Sequence, residues 1–126
     1  MKLERYDPFD GALGCALAVA AGNVVHVCGT VGANEDLTLP ESMEAQMRQA
    51  YRKIAETLEQ FDCTLADVAD QTVFFVGDGS EALAASESVR AEMFGSAPPA
   101  STMVGVDKLV DPSILVEIKV TAYRSS

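Results

Sequence analysis

A chain of 126 residues has room for one core. Its formal net charge of -10, with nine Lys and Arg that form no stripe, argues against a nucleic-acid partner. It has no run of about 18 apolar residues, which excludes a spanning helix, and its charged start, Met1-Lys2-Leu3-Glu4-Arg5, lacks the apolar stretch of a signal peptide, so a cytoplasmic protein without membrane contact is expected. Three widely spaced cysteines (Cys15, Cys28, Cys63) without a C-x-x-C pair, beside one histidine (His26), point to reduced, buried thiols and to neither a metal site nor a cofactor.

In chain order, residues 13–21 are small and apolar, Gly22-Asn23 is a turn signal, and Val24-Val25-His26-Val27-Cys28 is rich in β-branched residues, which together predict a hairpin. Both runs are apolar on both faces, the pattern of a sheet covered on two sides. Residues 30–40, punctuated by Gly32, Asn34 and Pro40, form a loop. A helix is predicted over 41–61, where Met43, Met47, Ala50, Ile54, Leu58 and Phe61 recur at helical spacing and Glu41 and Glu44 suit its positive end. Thr72-Val73-Phe74-Phe75-Val76 predicts a buried strand, and Gly77-Asp78-Gly79-Ser80 a turn in which Ser80 caps the next helix. That turn lacks the lysine and spacing of a phosphate loop. The second helix covers 81–94, with Ala82, Ala85, Val89 and Met93 on one face; strands over 101–106 and 114–123 close the chain.

The order β-β-α-β-α-β-β gives an α+β layer architecture in a single domain, 1–126: one mixed sheet with two helices on one face. No third helix exists for the other face, so that face is expected to bury against further subunits.

Several pieces carry a family resemblance: Pro98-Pro99-Ala100-Ser101-Thr102-Met103-Val104, then Leu109-Val110-Asp111-Pro112, then Ile114-Leu115-Val116-Glu117-Ile118. Upstream are Gly22-Asn23 before a strand ending Cys28-Gly29-Thr30, the 46–58 helix and the 67–76 segment. In this order they resemble the Rid family, the reactive-intermediate deaminases, also called YjgF and once labelled endoribonucleases. The resemblance covers nearly the whole chain. It implies a chorismate-mutase-like fold and a homotrimer with a central barrel and small-ligand sites in the three clefts between subunits. It also implies that Glu117 is the pocket carboxylate that orients water and that Gly29 lies at the pocket wall, with Cys28 where serine is common. Imine-hydrolysing members carry an arginine after the Pro-Ala pair, which binds the substrate carboxylate; Ser101 stands there. Met103 replaces a frequent cysteine, Cys15 a frequent tyrosine, and Leu17 an arginine of related branches. The expected binding set is thus Cys15, Leu17, Cys28, Gly29, Ser101, Thr102 and Met103 around Glu117.

The residues themselves set the chemistry. Alternation puts Glu117 on one face with Leu115 and Lys119, and a carboxylate in so apolar a strand is expected to be partly buried, as a general acid or base is, or to form an ion pair at a subunit seam. A neutral Ser101 hydroxyl grips a carboxylate far less well than a guanidinium fork. Hydrolysis of 2-imino acids is therefore not expected, and a small neutral or amine-bearing metabolite, such as an enamine or imine without a carboxylate, suits the pocket better. His26 lies about 7 Å along the strand from Cys28, too far to activate it, so Cys28 reads as a packed thiol and His26 as a partly buried, satisfied side chain. Two functions stay open: a hydrolase or lyase working through Glu117 and water, and a non-catalytic trimer that binds a small ligand or a partner protein.

Overall fold

The computed structural model describes residues 1–125. Strands β1 (Leu3–Tyr6), β2 (Ala18–Ala21), β3 (Val24–Val27) and β4 (Thr30–Val31) precede helix α1 (Met43–Glu59), and β5 (Val68–Phe75) precedes helix α2 (Gly79–Phe94). Strands β6 (Ala100–Gly105) and β7 (Val116–Tyr123) complete one mixed sheet in the order β1-β2-β3-β7-β5-β6, with β4 also on β7. The β5–β6 pair is parallel, joined by α2 as a crossover, and every other pair is antiparallel. This is the α+β arrangement expected, with two helices on one sheet.

The differences are local. The predicted hairpin arm over 13–21 becomes a strand only at Ala18, because Gly11 (φ 81°) and Gly14 (φ 71°) hold the preceding residues in turns. The charged start, which the sequence assigned to no element, pairs as β1 with β2; Leu3, Glu4 and Arg5 are exposed, so periodicity could not flag it. The expected loop over 30–40 begins with β4. Asp78, not Ser80, caps α2: its carboxylate accepts from the backbone N–H groups of Ser80 and Glu81.

The core lies between the helices and the sheet. Met47, Ala50, Ile54 and Leu58 of α1 pack with Val25, Val27, Val73, Ile118 and Val120. Gln46, on the buried side of α1, ties loops together. Its amide donates to Pro40 O (2.8 Å) and Ser113 O (2.9 Å), and its carbonyl accepts from Leu115 N (2.9 Å). Gly32 abuts the Gln46 backbone so closely that any side chain there would collide with it. The lead into β7, and hence the placement of Glu117, depends on this clamp.

Candidate functional site

Strand alternation divides β7 cleanly. Val116, Ile118, Val120 and Ala122 face the helices, and Glu117, Lys119, Thr121 and Tyr123 face the other way. Cross-strand register extends that open face through His26 and Val24 of β3, Val19 and Ala21 of β2, Asp70, Thr72 and Phe74 of β5, and Thr102 and Val104 of β6. The face is therefore mixed rather than apolar throughout, a correction to the two-sided apolar pattern expected. His26 is exposed rather than partly buried, because it sits on this uncovered side.

Glu117 is half-buried. Its position follows from a bulge: between the His26–Thr121 and Thr30–Ile118 pairs, the residues Val27, Cys28 and Gly29 stand opposite only Lys119 and Val120. The extra residue brings the Gly29 backbone against the Glu117 carboxylate, where a Cβ on residue 29 would overlap Oε2. Glycine is required here for close approach, not for its dihedral angles. Lys119, next on the same face, donates from Nζ to Val27 O at 3.1 Å. The sequence reading left this cation unassigned, although the two-residue spacing from Glu117 was the signal. Its ammonium is thus held at the Val27 carbonyl, two residues along β7 from Glu117.

Cys28 is half-buried in the same bulge, and burial pushes its thiol above the ordinary range; nearby Cys15 adds to that, and the Thr30 hydroxyl and Lys119 pull weakly the other way. At neutral pH it is a thiol and a poor nucleophile. Leu17 lies opposite it, accepting from Cys28 N at 2.8 Å. Cys15 is exposed, not buried as expected, because the loop that carries it stands off the sheet; only Cys63 is fully enclosed. Cys15, Leu17, Cys28, Gly29 and Glu117 thus gather at one corner of the subunit.

Ser101, Thr102 and Met103 do not join them. They lie on β6, two strands from β7, which is roughly 10 Å away by sheet spacing. Thr102 shares the open face, whereas Ser101 and Met103 alternate to the helix side, in register with Gln71 and Val73. Ser101 ends a hydrogen-bonded chain: Tyr51 Oη donates to Gln71 Oε1 (2.7 Å), and Gln71 Nε2 donates to Ser101 Oγ (3.0 Å). Tyr51 and Gln71 are fully buried, and the apolar periodicity of α1 and β5 gave no sign of their pairing. A concavity of about 380 Å³ lies elsewhere, lined by Gly22, Asn23, Phe61, Asp62 and Arg124. Arg124 is committed there, paired with both carboxylate oxygens of Glu4 and donating to Gly22 O. That cleft is a clamp between β1 and the chain end.

Comparison with known proteins places this geometry. Residues 15–124 match the family model described as Endoribonuclease L-PSP. The RutC family protein YjgH of Escherichia coli is 34% identical over 106 residues, covering 83% of this chain and 79% of its own. The structure of Rv2704 from Mycobacterium tuberculosis, a member of the YjgF/YER057c/UK114 family, superimposes with a TM-score of 0.83 at 34% identity, over 97% of this chain and 99% of that one. RidA from an Antarctic Psychrobacter matches with a TM-score of 0.81 at 28% identity, over 94% of each chain.

Proposed function

The chain belongs to the Endoribonuclease L-PSP family, which includes YjgF and RidA, and on that footing we propose that it is a cytoplasmic, single-domain Rid-like homotrimer that binds a small metabolite in the clefts between subunits. The observation that carries this reading is the half-buried Glu117, held against the Gly29 backbone by the bulge on a sheet face that no helix of its own chain covers. Within one subunit Ser101 stands too far from Glu117 to share a ligand with it. A neighbouring subunit laid over the open face supplies the missing wall.

Glu117 acts through water. It takes a proton from water as the oxygen adds to the carbon of a C=N bond and passes that proton to the nitrogen, giving a carbinolamine; it then relays the carbinolamine hydroxyl proton to the same nitrogen as the C–N bond breaks, leaving a carbonyl and ammonia or an amine. Gly29 N–H and the Ser101 and Thr102 hydroxyls are the neutral donors, and Cys15, Leu17, Cys28 and Met103 shape the walls. Ser101 in place of the guanidinium argues for a ligand without a carboxylate. The net charge of -10 opposes binding of RNA, whatever the family's label. A non-catalytic trimer that binds a small ligand or a partner protein is the second reading, favoured by the loss of the pocket cations, with Ser101 and Leu17 at the positions where the resemblance expects arginine.

The test compares wild type with Glu117→Gln in a thermal-shift screen of small carbonyls, imines and amines, together with turnover of 2-iminopropanoate. Glu117→Gln is expected to keep the melting temperature and to lower ligand response or turnover at least tenfold. Wild-type hydrolysis of 2-iminopropanoate is expected at background. If Glu117 is instead a seam ion pair, the same change leaves its partner charge buried and costs roughly 3–5 kcal/mol of assembly stability. Intact melting with unchanged ligand response removes Glu117 from both roles.

A further inference from the structure

We infer that Tyr51 and Gln71 are positioning residues that commit the Ser101 hydroxyl to donating, so that the ligand meets Ser101 with a neutral hydrogen-bond acceptor, a carbonyl oxygen or an imine nitrogen. The inference rests on the reading that a ligand site lies beside Ser101. It narrows that site's ligand from neutral or amine-bearing molecules to those that present an acceptor at this point.

A serine hydroxyl ordinarily donates or accepts as its neighbour requires. Here the choice is made upstream. The Tyr51 ring is fully buried, edge-on to Phe94 at 5.2 Å between centroids, and its hydroxyl bonds to Gln71. A buried phenol with that single partner satisfies its proton only by donating, which fixes the carbonyl end of the Gln71 amide toward Tyr51. Burial pushes the Tyr51 hydroxyl up to about 12, so it keeps its proton throughout the working pH range. The NH2 end of Gln71 then faces Ser101, whose oxygen accepts at 3.0 Å. With one of its two lone pairs filled by that donor, Ser101 Oγ turns its proton away from the Gln71 amide, and Ser101 is exposed on the edge strand β6. Donors linked in series polarise one another, so the last hydroxyl donates more strongly than an isolated serine does. A leucine at 71 and a phenylalanine at 51 would fill the same layer without polar groups to satisfy. What the polar pair adds is a direction for the Ser101 hydroxyl.

The experiment uses backbone-amide NMR on the assembled protein with two probes, butanone (acceptor only) and isobutylamine (a cationic donor), on wild type, Ser101→Ala, Tyr51→Phe and Gln71→Glu. In wild type, butanone is expected to shift the 101–103 amides saturably and isobutylamine is not. Ser101→Ala weakens butanone at least fivefold. Tyr51→Phe removes one oxygen and lets the amide turn, so it weakens butanone at least threefold, an effect that a purely structural tyrosine would not have on a probe it never touches. Gln71→Glu places an acceptor against both hydroxyls and reverses the preference toward isobutylamine; if that variant does not fold, Tyr51→Phe carries the test. Butanone binding unchanged in Ser101→Ala and Tyr51→Phe, with the Gly29 and Glu117 amides still responding, overturns this inference and leaves the ligand site standing. No saturable response at either strip overturns both.

Discussion

Along β7, Val116, Ile118, Val120 and Ala122 turn toward the helices and are fully enclosed, while Glu117, Lys119, Thr121 and Tyr123 turn the other way and remain partly or largely open. One strand therefore serves two surroundings. The enclosed side is apolar and has its partners within the chain. The open side mixes a carboxylate, an ammonium, a hydroxyl and a phenol among valines and alanines, and the helices of this chain leave it uncovered. Along this strand the buried apolar side chains are on the first side and the polar ones are confined to the second.

The sharpest break in that comparison is a pair of truncations. Ile118→Ala, on the enclosed side, is expected to cost about 2–5 kcal/mol by removing buried methylenes and leaving a cavity. Thr121→Ala, three residues along on the open side, is expected to cost under about 1 kcal/mol in subunit folding. Urea titration of the two variants measures both. Equal losses would mean that the open face is as tightly packed as the core.

Gly29→Ala tests the site rather than the core. The new methyl overlaps the Glu117 carboxylate, the mobile end of a side chain, so Glu117 swings aside at small cost to folding. Ligand response is expected to fall about as far as in Glu117→Gln, roughly tenfold, with the melting temperature within a few degrees of wild type. A large loss of stability with ligand response retained would make Gly29 a packing residue only.

The smallest effect lies at the surface clamps. The Arg124 guanidinium holds the Glu4 carboxyl below its ordinary range by hydrogen bond and charge, and hydrogen bonds from Ser80 and Ser113 do the same for Asp78 and Asp111. A carboxyl depressed in the folded state is protonated more readily in the unfolded chain. Its stabilising contribution is full above the ordinary carboxylate range, about pH 4–5, and is lost as pH falls through the folded values. Melting temperature should therefore decline below about pH 4, and Glu4→Gln should lower it by only a degree or two at pH 7, because the pair is exposed to solvent.

The α+β arrangement was legible because its signals are periodic. The stripe of Met47, Ala50, Ile54 and Leu58, the turn at Gly22-Asn23 and the break at residues 95–99 each have a local cause. Strand β1 was not legible, since Leu3, Glu4 and Arg5 are exposed and gain their order from pairing with β2. At the site, Glu117 stood out as a carboxylate in an apolar strand, whereas Gly29 read as a strand boundary and pocket wall, and the bulge it sits in shows only in the register. Lys119 was visible on the same face but went unassigned. The Tyr51–Gln71–Ser101 chain was hidden, because it joins α1, β5 and β6 through side chains whose spacing in sequence carries no pattern. The open face looked apolar in sequence because Val19, Val24 and Val104 stand on it; only the register shows Lys119, Thr121, His26 and Asp70 placed among them.

In the proposed assembly the open face is completed by other copies of this chain, which bring Glu117 of one subunit toward the Ser101 strip of another. Sedimentation equilibrium of the wild-type protein at micromolar concentration tests it most directly. The predicted result is one species of about three times the 13.3 kDa chain mass, unchanged by moderate dilution. A stable 13.3 kDa monomer would rule that assembly out and leave Glu117 and Ser101 two strands apart and on opposite faces of the sheet.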